Sequence, residues 1–413
     1  MQFEQLPTGY MSRVEIDNGV VAVELKRLQE SRDALTGILI VRMQLYGESY
    51  RLHVGKFNVM ASRTRKELAN YLKRISPKDA EIDWHTIIEA FSQNVIENHY
   101  ATEPAVRIEP LEDAKVEFLL YPFIPKRHPA LLYAPGGSGK SFLAMYLSLL
   151  VKNGIPFDLS HDVEPSEVLY LDWEVDELEA RRRFGMLSKS FDVELEYPLY
   201  KRAVLTLTDE LESVIETVVE YSVKLVIIDS AAPAVGGDIN EASKVIQFFQ
   251  NVRQLTTLGA SVLILTHVSK AEKNTDEPTP VGSVFFENLS RLTWEIRYLS
   301  NEDGIIDFGL FPRKTNLGKF EPVGLRAVFK FNGVYFQELP ADRLEMLSAD
   351  SEEQLIMLIL AKYPEGLTVK ELADVTGFRR NTLARILSTL HERGLAELDT
   401  DGKWYAVDRV SWV

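Results

Sequence analysis

Apolar and polar positions alternate through much of the first sixty residues. The runs 14–25, 37–45 and 50–57, rich in Val, Ile and Tyr, predict three strands. The period then lengthens: Leu68 and Leu72 share one face of a helix predicted over 63–74 with Ser62 as its cap, and a second helix is predicted over 84–98. Pro104 and Pro110 break the stretch 100–112, which reads as a linker. From about residue 114 four nearly unbroken apolar runs, 130–134, 168–171, 224–228 and 261–265, alternate with helical patterns. Strands of a parallel sheet covered on both faces have this texture. The segments 304–312 and 327–336 add strand-like material. Near Leu347 the pattern changes to three short helices (352–362, 369–375 with Thr368 as cap, and 380–393) and a hairpin turning at Asp401-Gly402. The expectation is an α/β chain in three domains: an N-terminal α+β domain at 1–110, a core with a mainly parallel sheet at 111–345, and a winged helix at 346–413.

Composition narrows the class. Hydrophobic residues at 46% and charged residues at 26% exclude a largely disordered chain. No run approaches the ~18 unbroken apolar residues of a membrane span, and the start lacks a basic-then-apolar leader. The absence of cysteine excludes disulfides, thiolate zinc sites and a catalytic thiol. A cytoplasmic protein with no membrane partner is expected. The net charge of −15 argues against nucleic acid until it is divided: residues 111–350 carry 24 Lys and Arg against 36 Asp and Glu, whereas 1–110 and 351–413 are near neutral.

Candidate chemistry begins where the first core strand ends, in Ala134-Pro135-Gly136-Gly137-Ser138-Gly139-Lys140-Ser141 followed by Phe142 and a helical run. This is a Walker A loop with Ala134 in place of the first glycine. Its glycines let successive backbone N–H groups turn toward a phosphate, and the helix N-terminus adds its dipole. Residues Pro135, Gly136, Gly137, Ser138, Gly139, Lys140, Ser141 and Phe142 are therefore the expected ATP-binding segment. Lys140 is expected on the β- and γ-phosphates and the Ser141 hydroxyl on Mg²⁺. Four apolar residues ending in Asp229 then place a second Mg²⁺ carboxylate at the edge of a buried strand.

Asp172-Trp173-Glu174 closes the strand after the P-loop helix. RecA-like ATPases keep their general base there, whereas AAA+ proteins usually carry it directly after the Walker B aspartate, where this chain has Ser230. Glu174 is thus the candidate base, with Asp172 as its competitor and a first-turn helix carboxylate as the plain alternative. His267, in Thr266-His267-Val268-Ser269-Lys270, ends the strand expected beside the γ-phosphate and is its candidate sensor. The segments 231–241 and 269–282 read as loops, the second carrying Lys270 and Lys273 as DNA-contact candidates. The run Arg181-Arg182-Arg183 is better explained by helix ion pairs, since Glu177 and Glu179 precede Arg181 and Arg183 by four.

Together these motifs resemble the RecA-like ATPases of the plasmid RepA hexameric replicative helicase type, over roughly residues 114–335. Gly282-Ser283, Arg291 and Lys314-Thr315-Asn316-Leu317-Gly318 look similar to that family's later motifs. The resemblance implies a RecA-like P-loop ATPase core, ATP hydrolysed between subunits of a homo-oligomer (a hexameric ring) and single-stranded DNA in its channel. It also implies Arg291 and Lys314 as fingers toward a neighbour's nucleotide, with Arg313 in reserve.

The C-terminal module resembles winged helices such as those of the MarR group. Its third helix opens with Arg379, Arg380 and Asn381 and continues to Arg385, polar where a DNA groove would lie. A protein-contact role competes with DNA there. The N-terminal domain shows no motif: His53, His85 and His99 lack metal-ligand spacing, and Arg63, Arg65, Lys66, Lys73 and Arg74 form a basic helix that binds nucleic acid or faces solvent. The overall expectation is a Mg²⁺-dependent ATPase acting on DNA, a helicase or translocase of a plasmid, phage or mobile element. The alternatives are an ATP-switched DNA-binding regulator or recombination factor, and a signalling ATPase that recruits protein.

Overall fold

A computed structural model of the chain describes residues 1–77, 80–101, 105–110, 115–268, 280, 282, 284–300, 304–349 and 352–407. The chain divides into two compact units, Met1–Ala114 with Glu212–Val219, and Lys115–Leu211 with Glu220–Val413.

In the first unit the described residues form an antiparallel meander of five strands paired in sequence order: β1 (Gln2–Leu6), β2 (Gly9–Ile16), β3 (Gly19–Ser31), β4 (Ala34–Leu45) and β5 (Glu48–Asn58). The predicted strand 14–25 is in fact two, because Asn18 takes a left-handed backbone (φ 63°) and turns the chain between β2 and β3. Alternate β4 residues, among them Leu39, Val41 and Met43, point into a core closed by helices α1 (Ser62–Ile75) and α2 (Trp84–Tyr100). Ser62 is the first helical residue of α1, capped by Ala61 without a side-chain bond; Asp83 does cap α2, accepting from the Thr86 N–H. The basic face of α1 is in part spoken for, with Arg65 paired to Glu89 and Arg63 to Glu67.

The second unit opens with a short ribbon, β6 (Phe118–Leu120) and β7 (Ile124–Pro125). Its frame then runs β8 (Pro129–Ala134), α3 (Lys140–Asn153), β9 (Val168–Asp172), α4 (Glu177–Leu187), β10 (Leu199–Arg202), α5 (Leu207–Glu220), β11 (Leu225–Asp229), α6 (Ala231–Val235), α7 (Ala242–Thr257), β12 (Ser261–His267), α8 (Phe285–Leu289) and β13 (Leu292–Ser300). Three antiparallel strands, β14 (Ile305–Thr315), β15 (Val323–Lys330) and β16 (Gly333–Glu338), extend the sheet, whose order is β10-β9-β11-β12-β8-β13-β14-β15-β16. The strands from β10 to β13 are parallel, as their apolar runs predict. The predicted strand 327–336 is again two, turning after Lys330. The segment 231–241, expected as a loop, begins with α6, and Gly236 and Gly237 follow it with positive φ. On α4 the three arginines are held by Glu177 and Glu179, as the spacing requires.

After α9 (Ala341–Leu347) come α10 (Glu352–Lys362), β17 (Leu367–Thr368), α11 (Val369–Thr376), α12 (Arg380–Glu392) and the wing β18 (Ala396–Leu398) with β19 (Lys403–Ala406). Thr368 and Glu371 form a full capping box on α11, and Gly377 (φ 72°) makes the turn into α12. Leu355, Ile356, Ile359, Leu383, Ile386 and Leu387 share one apolar cluster with Leu299, Phe311 and Leu339 of the core. The module is therefore packed onto the antiparallel end of the sheet. Arg297 of β13 reinforces that join by donating to the carbonyls of Leu347, Ser348 and Ala349 at the end of α9.

Candidate active site

Parallel strands that share a direction bring their carboxyl ends to one edge, and the candidate residues meet there. Strand β12 lies between β8 and β11. The tip of β12, His267, therefore stands between the P-loop that leaves β8 and the aspartate that ends β11. The loop's shape depends on glycine at two points. Gly137 (φ 77°) and Gly139 (φ 83°) are left-handed, and a Cβ on Gly139 would also come within 3.0 Å of the Phe308 ring. Ala134, the departure from the usual motif, is simply the last buried residue of β8, extended and paired with His267.

Lys140 opens α3 and is only 6% exposed. Its ammonium donates to the carbonyls of Ala134 (3.1 Å) and Pro135 (3.0 Å) and lies 3.2 Å from His267 Nδ1. Burial lowers its pKa to about 8, against the pull of Asp229 and Glu174. Because Lys140 can only donate, His267 Nδ1 is the acceptor and the ring proton sits on Nε2. Nε2 in turn lies 3.6 Å from Glu174 Oε1, which also accepts from the Ser230 hydroxyl at 2.8 Å. The His267 ring above all holds Glu174 below the ordinary glutamate range. Burial pushes the other way, and the Ser230 hydroxyl and the Lys140 charge add to the lowering.

Asp229 is 3% exposed, and burial raises its pKa to about 6, while hydrogen bonds from the Tyr170 hydroxyl (2.7 Å) and the Ser141 hydroxyl oppose the rise. Its peptide bond to Ser230 is cis. A buried carboxylate beside a hydroxyl is the all-oxygen donor set that suits Mg²⁺, and a cation there would compensate a charge that now stands among other acids. Ser141 and Asp229 thus fit the metal, and the buried Ser138 hydroxyl, which has no partner among the described residues, lies in the loop that would cradle the phosphates.

Asp172 has a different task. One of its carboxylate oxygens accepts from the backbone N–H groups of Glu174 (2.8 Å) and Val175 (3.0 Å), and the Trp173 N–H bonds to the Asp229 carbonyl at 2.8 Å. Asp172 shapes the turn that presents Glu174. Sequence reasoning missed Tyr170 and Ser230. A buried tyrosine in an apolar strand needs a partner for its hydroxyl, and that was the available signal for Tyr170.

Arg291 and Lys314 lie elsewhere. The Arg291 N–H bonds to the carbonyl of Pro129 at the start of β8, the edge opposite the P-loop. Lys314 donates to the carbonyls of Glu287 (2.7 Å) and Asn288 (2.8 Å) in α8, and burial lowers its pKa. Arg313 is engaged with the buried Glu295 at 2.6 Å. Beside Arg291 is a cavity of about 400 Å³ whose lining includes Arg127, His128, Arg253 and Asn316 and, among the described residues, no carboxylate. Burial, then the Arg291 charge, lowers the His128 pKa.

On the C-terminal module Arg379, Arg380, Asn381 and Arg385 are exposed, Arg379 as the N-cap of α12. Arg385 is paired with Glu352 at 3.1 Å. Lys270, Lys273 and Ser283 lie outside the described residues. Among the described residues no cluster of His, Asp and Glu could hold a metal by itself, and no helix is long and apolar enough to cross a membrane.

Comparison with known proteins agrees with this geometry. Residues 99–273 match a family model described as an AAA domain (AAA_25), and residues 355–400 match the IclR helix-turn-helix domain. No curated protein matches the chain. Fold, site and matches together define a P-loop ATPase domain of RecA-like architecture followed by an IclR-type winged helix.

Proposed function

We propose that this chain is a Mg²⁺-dependent ATPase that works on DNA as a ring, a helicase or translocase of the RepA-like kind. The observation that carries the ATPase reading is the meeting of Lys140, Ser141, Asp229, Glu174 and His267 at the carboxyl edge of β8, β9, β11 and β12. In this reading Glu174 takes a proton from water as the water oxygen attacks the γ-phosphorus, and the bond from that phosphorus to the β–γ bridging oxygen breaks. Lys140 neutralises charge on the departing diphosphate, and His267, between Lys140 and Glu174, registers the loss of the γ-phosphate. When bound at Ser141 and Asp229, Mg²⁺ would neutralise charge on the β- and γ-phosphate oxygens.

The ring reading rests on Arg291. Six residues of β8 separate it from the P-loop, roughly 20 Å at about 3.3 Å per residue, so Arg291 cannot reach its own chain's nucleotide. The acid-free hollow around it suits phosphates carried by a second copy. DNA enters through the exposed Arg379 and Arg380 of α12.

Glu174→Gln should retain ATP and lose hydrolysis by a factor of about 10² or more. Turnover with the parent rate in this variant disproves the base. Parent turnover measured with no DNA, single strands and duplex should be highest with single strands and accompanied by strand displacement. Tight duplex binding without displacement would instead make the chain an ATP-switched regulator, and no DNA binding at low salt would leave a protein-recruiting ATPase.

A further inference from the structure

The geometry points to Ser230 as a positioning residue for hydrolysis, one that fixes the rotamer of Glu174 and so aims its second carboxylate oxygen at the attacking water. The inference rests on Glu174 being the base. Ser230 occupies the N-cap of α6, where a serine hydroxyl ordinarily accepts a backbone N–H of the first helical turn. Here it makes no such bond. The hydroxyl donates instead to Glu174 Oε1 at 2.8 Å, across from β11 to the segment after β9, and Ser230 is 2% exposed. A buried serine has given up its local task for a contact 56 residues away in sequence.

The consequence for the carboxylate is specific. Oε1 receives the Ser230 hydroxyl and faces His267 Nε2 at 3.6 Å. Oε2 has no hydrogen-bond partner among the described residues and is left to accept a proton. Without Ser230 the side chain, 43% exposed, would be held on one side only, by a histidine at long range. Misplacing a reacting group by about 1 Å costs on the order of 10²-fold in rate.

Two near-isosteric variants test this on the full chain. Ser230→Thr keeps the hydroxyl and Ser230→Val removes it, so both meet the same crowding and only the hydrogen bond differs. Ser230→Thr should keep the ATPase kcat within about threefold of the parent, and Ser230→Val should lose about tenfold or more. In both, KM for ATP and half-saturation by Mg²⁺ should stay put, because Lys140, Ser141 and Asp229 are untouched. A residue that only supports the fold would instead move KM and melting temperature together in the two variants. Equal kcat for the two, or a loss in Ser230→Val carried entirely by KM, overturns the inference. The failure of the base itself reads differently: Glu174→Gln would then hydrolyse ATP whatever stands at 230. If Glu174→Gln is inactive while Ser230→Val turns over like the parent, Glu174 stands and Ser230 falls.

Discussion

Lys140 shows what burying an ammonium costs. Its ammonium is buried and its pKa is down to about 8, a displacement from 10.5 that corresponds to roughly 3 kcal/mol at about 1.4 kcal/mol per unit, as an upper figure. The sign follows from the depression. Relative to the unfolded chain, stability is gained above the unfolded value near 10.5 and lost as pH falls through about 8. At pH 7 the folded chain therefore carries a penalty. Lys140→Met should abolish turnover yet raise the melting temperature at pH 7, with the gain shrinking by pH 9.5. A thermal melt at the two pH values checks it, and a variant less stable at pH 7 than its parent contradicts it. The chemistry at this scale was legible where it lies along one stretch of chain: Gly136 to Ser141 announce themselves. Glu174 was chosen as the base with Asp172 as its competitor, and the fold adds that Asp172 accepts the Glu174 and Val175 N–H groups. Ser230 and Tyr170 were not visible as partners, because their contacts depend on the register of β11 beside β9.

At the scale of elements the buried strands were the easy part. A strand covered on both faces is apolar through its middle, and β8, β9, β11 and β12 all are, with the polar residues of β9, β11 and β12 confined to their ends. Turns inside apolar stretches were the hard part. The run 14–25 reads as one strand because the apolar residues on either side of Asp17-Asn18 hide a two-residue reversal, and the reversal after Lys330 is hidden the same way. The cations at the far edge of the sheet needed topology as well as sequence. Lys314 now has a local explanation as an acceptor-seeking cap on the last carbonyls of α8, whereas the Arg291 side chain sits beside the acid-free hollow. This separates their phenotypes. Arg291→Ala should lose turnover while leaving the melting temperature near the parent, and Lys314→Ala should lower both. On the proposed ring, Arg291→Ala mixed with Lys140→Ala, each inactive alone, should regain activity, since about a quarter of randomly mixed interfaces pair an intact loop with an intact arginine. A mixture as inactive as its parts rules out the shared site.

On the scale of the whole molecule, charge is segregated: the acid core carries most of the −15, and the exposed arginines at the head of α12 stand apart from it. If Arg379 and Arg380 touch phosphates, replacing both with alanine should flatten the dependence of log affinity on log salt by about two contacts at ~0.9 each. Arg385→Ala should change it less, because Glu352 already holds that guanidinium. A salt slope unchanged by the double replacement would move DNA contact away from α12.

Strand β14 has two faces with two employers. Phe308 abuts the turn at Gly139, where ATP would sit, while the next residue back, Asp307, points to the other side and grips Arg326 at 2.6 Å and Arg343 of α9 at 2.9 Å. The helix so gripped leads directly into the module bearing α12. On the proposed function, a push on that phenyl ring would pass along β14 to the ion pair on α9, beside the join that Arg297 makes to the carbonyls at the end of the same helix.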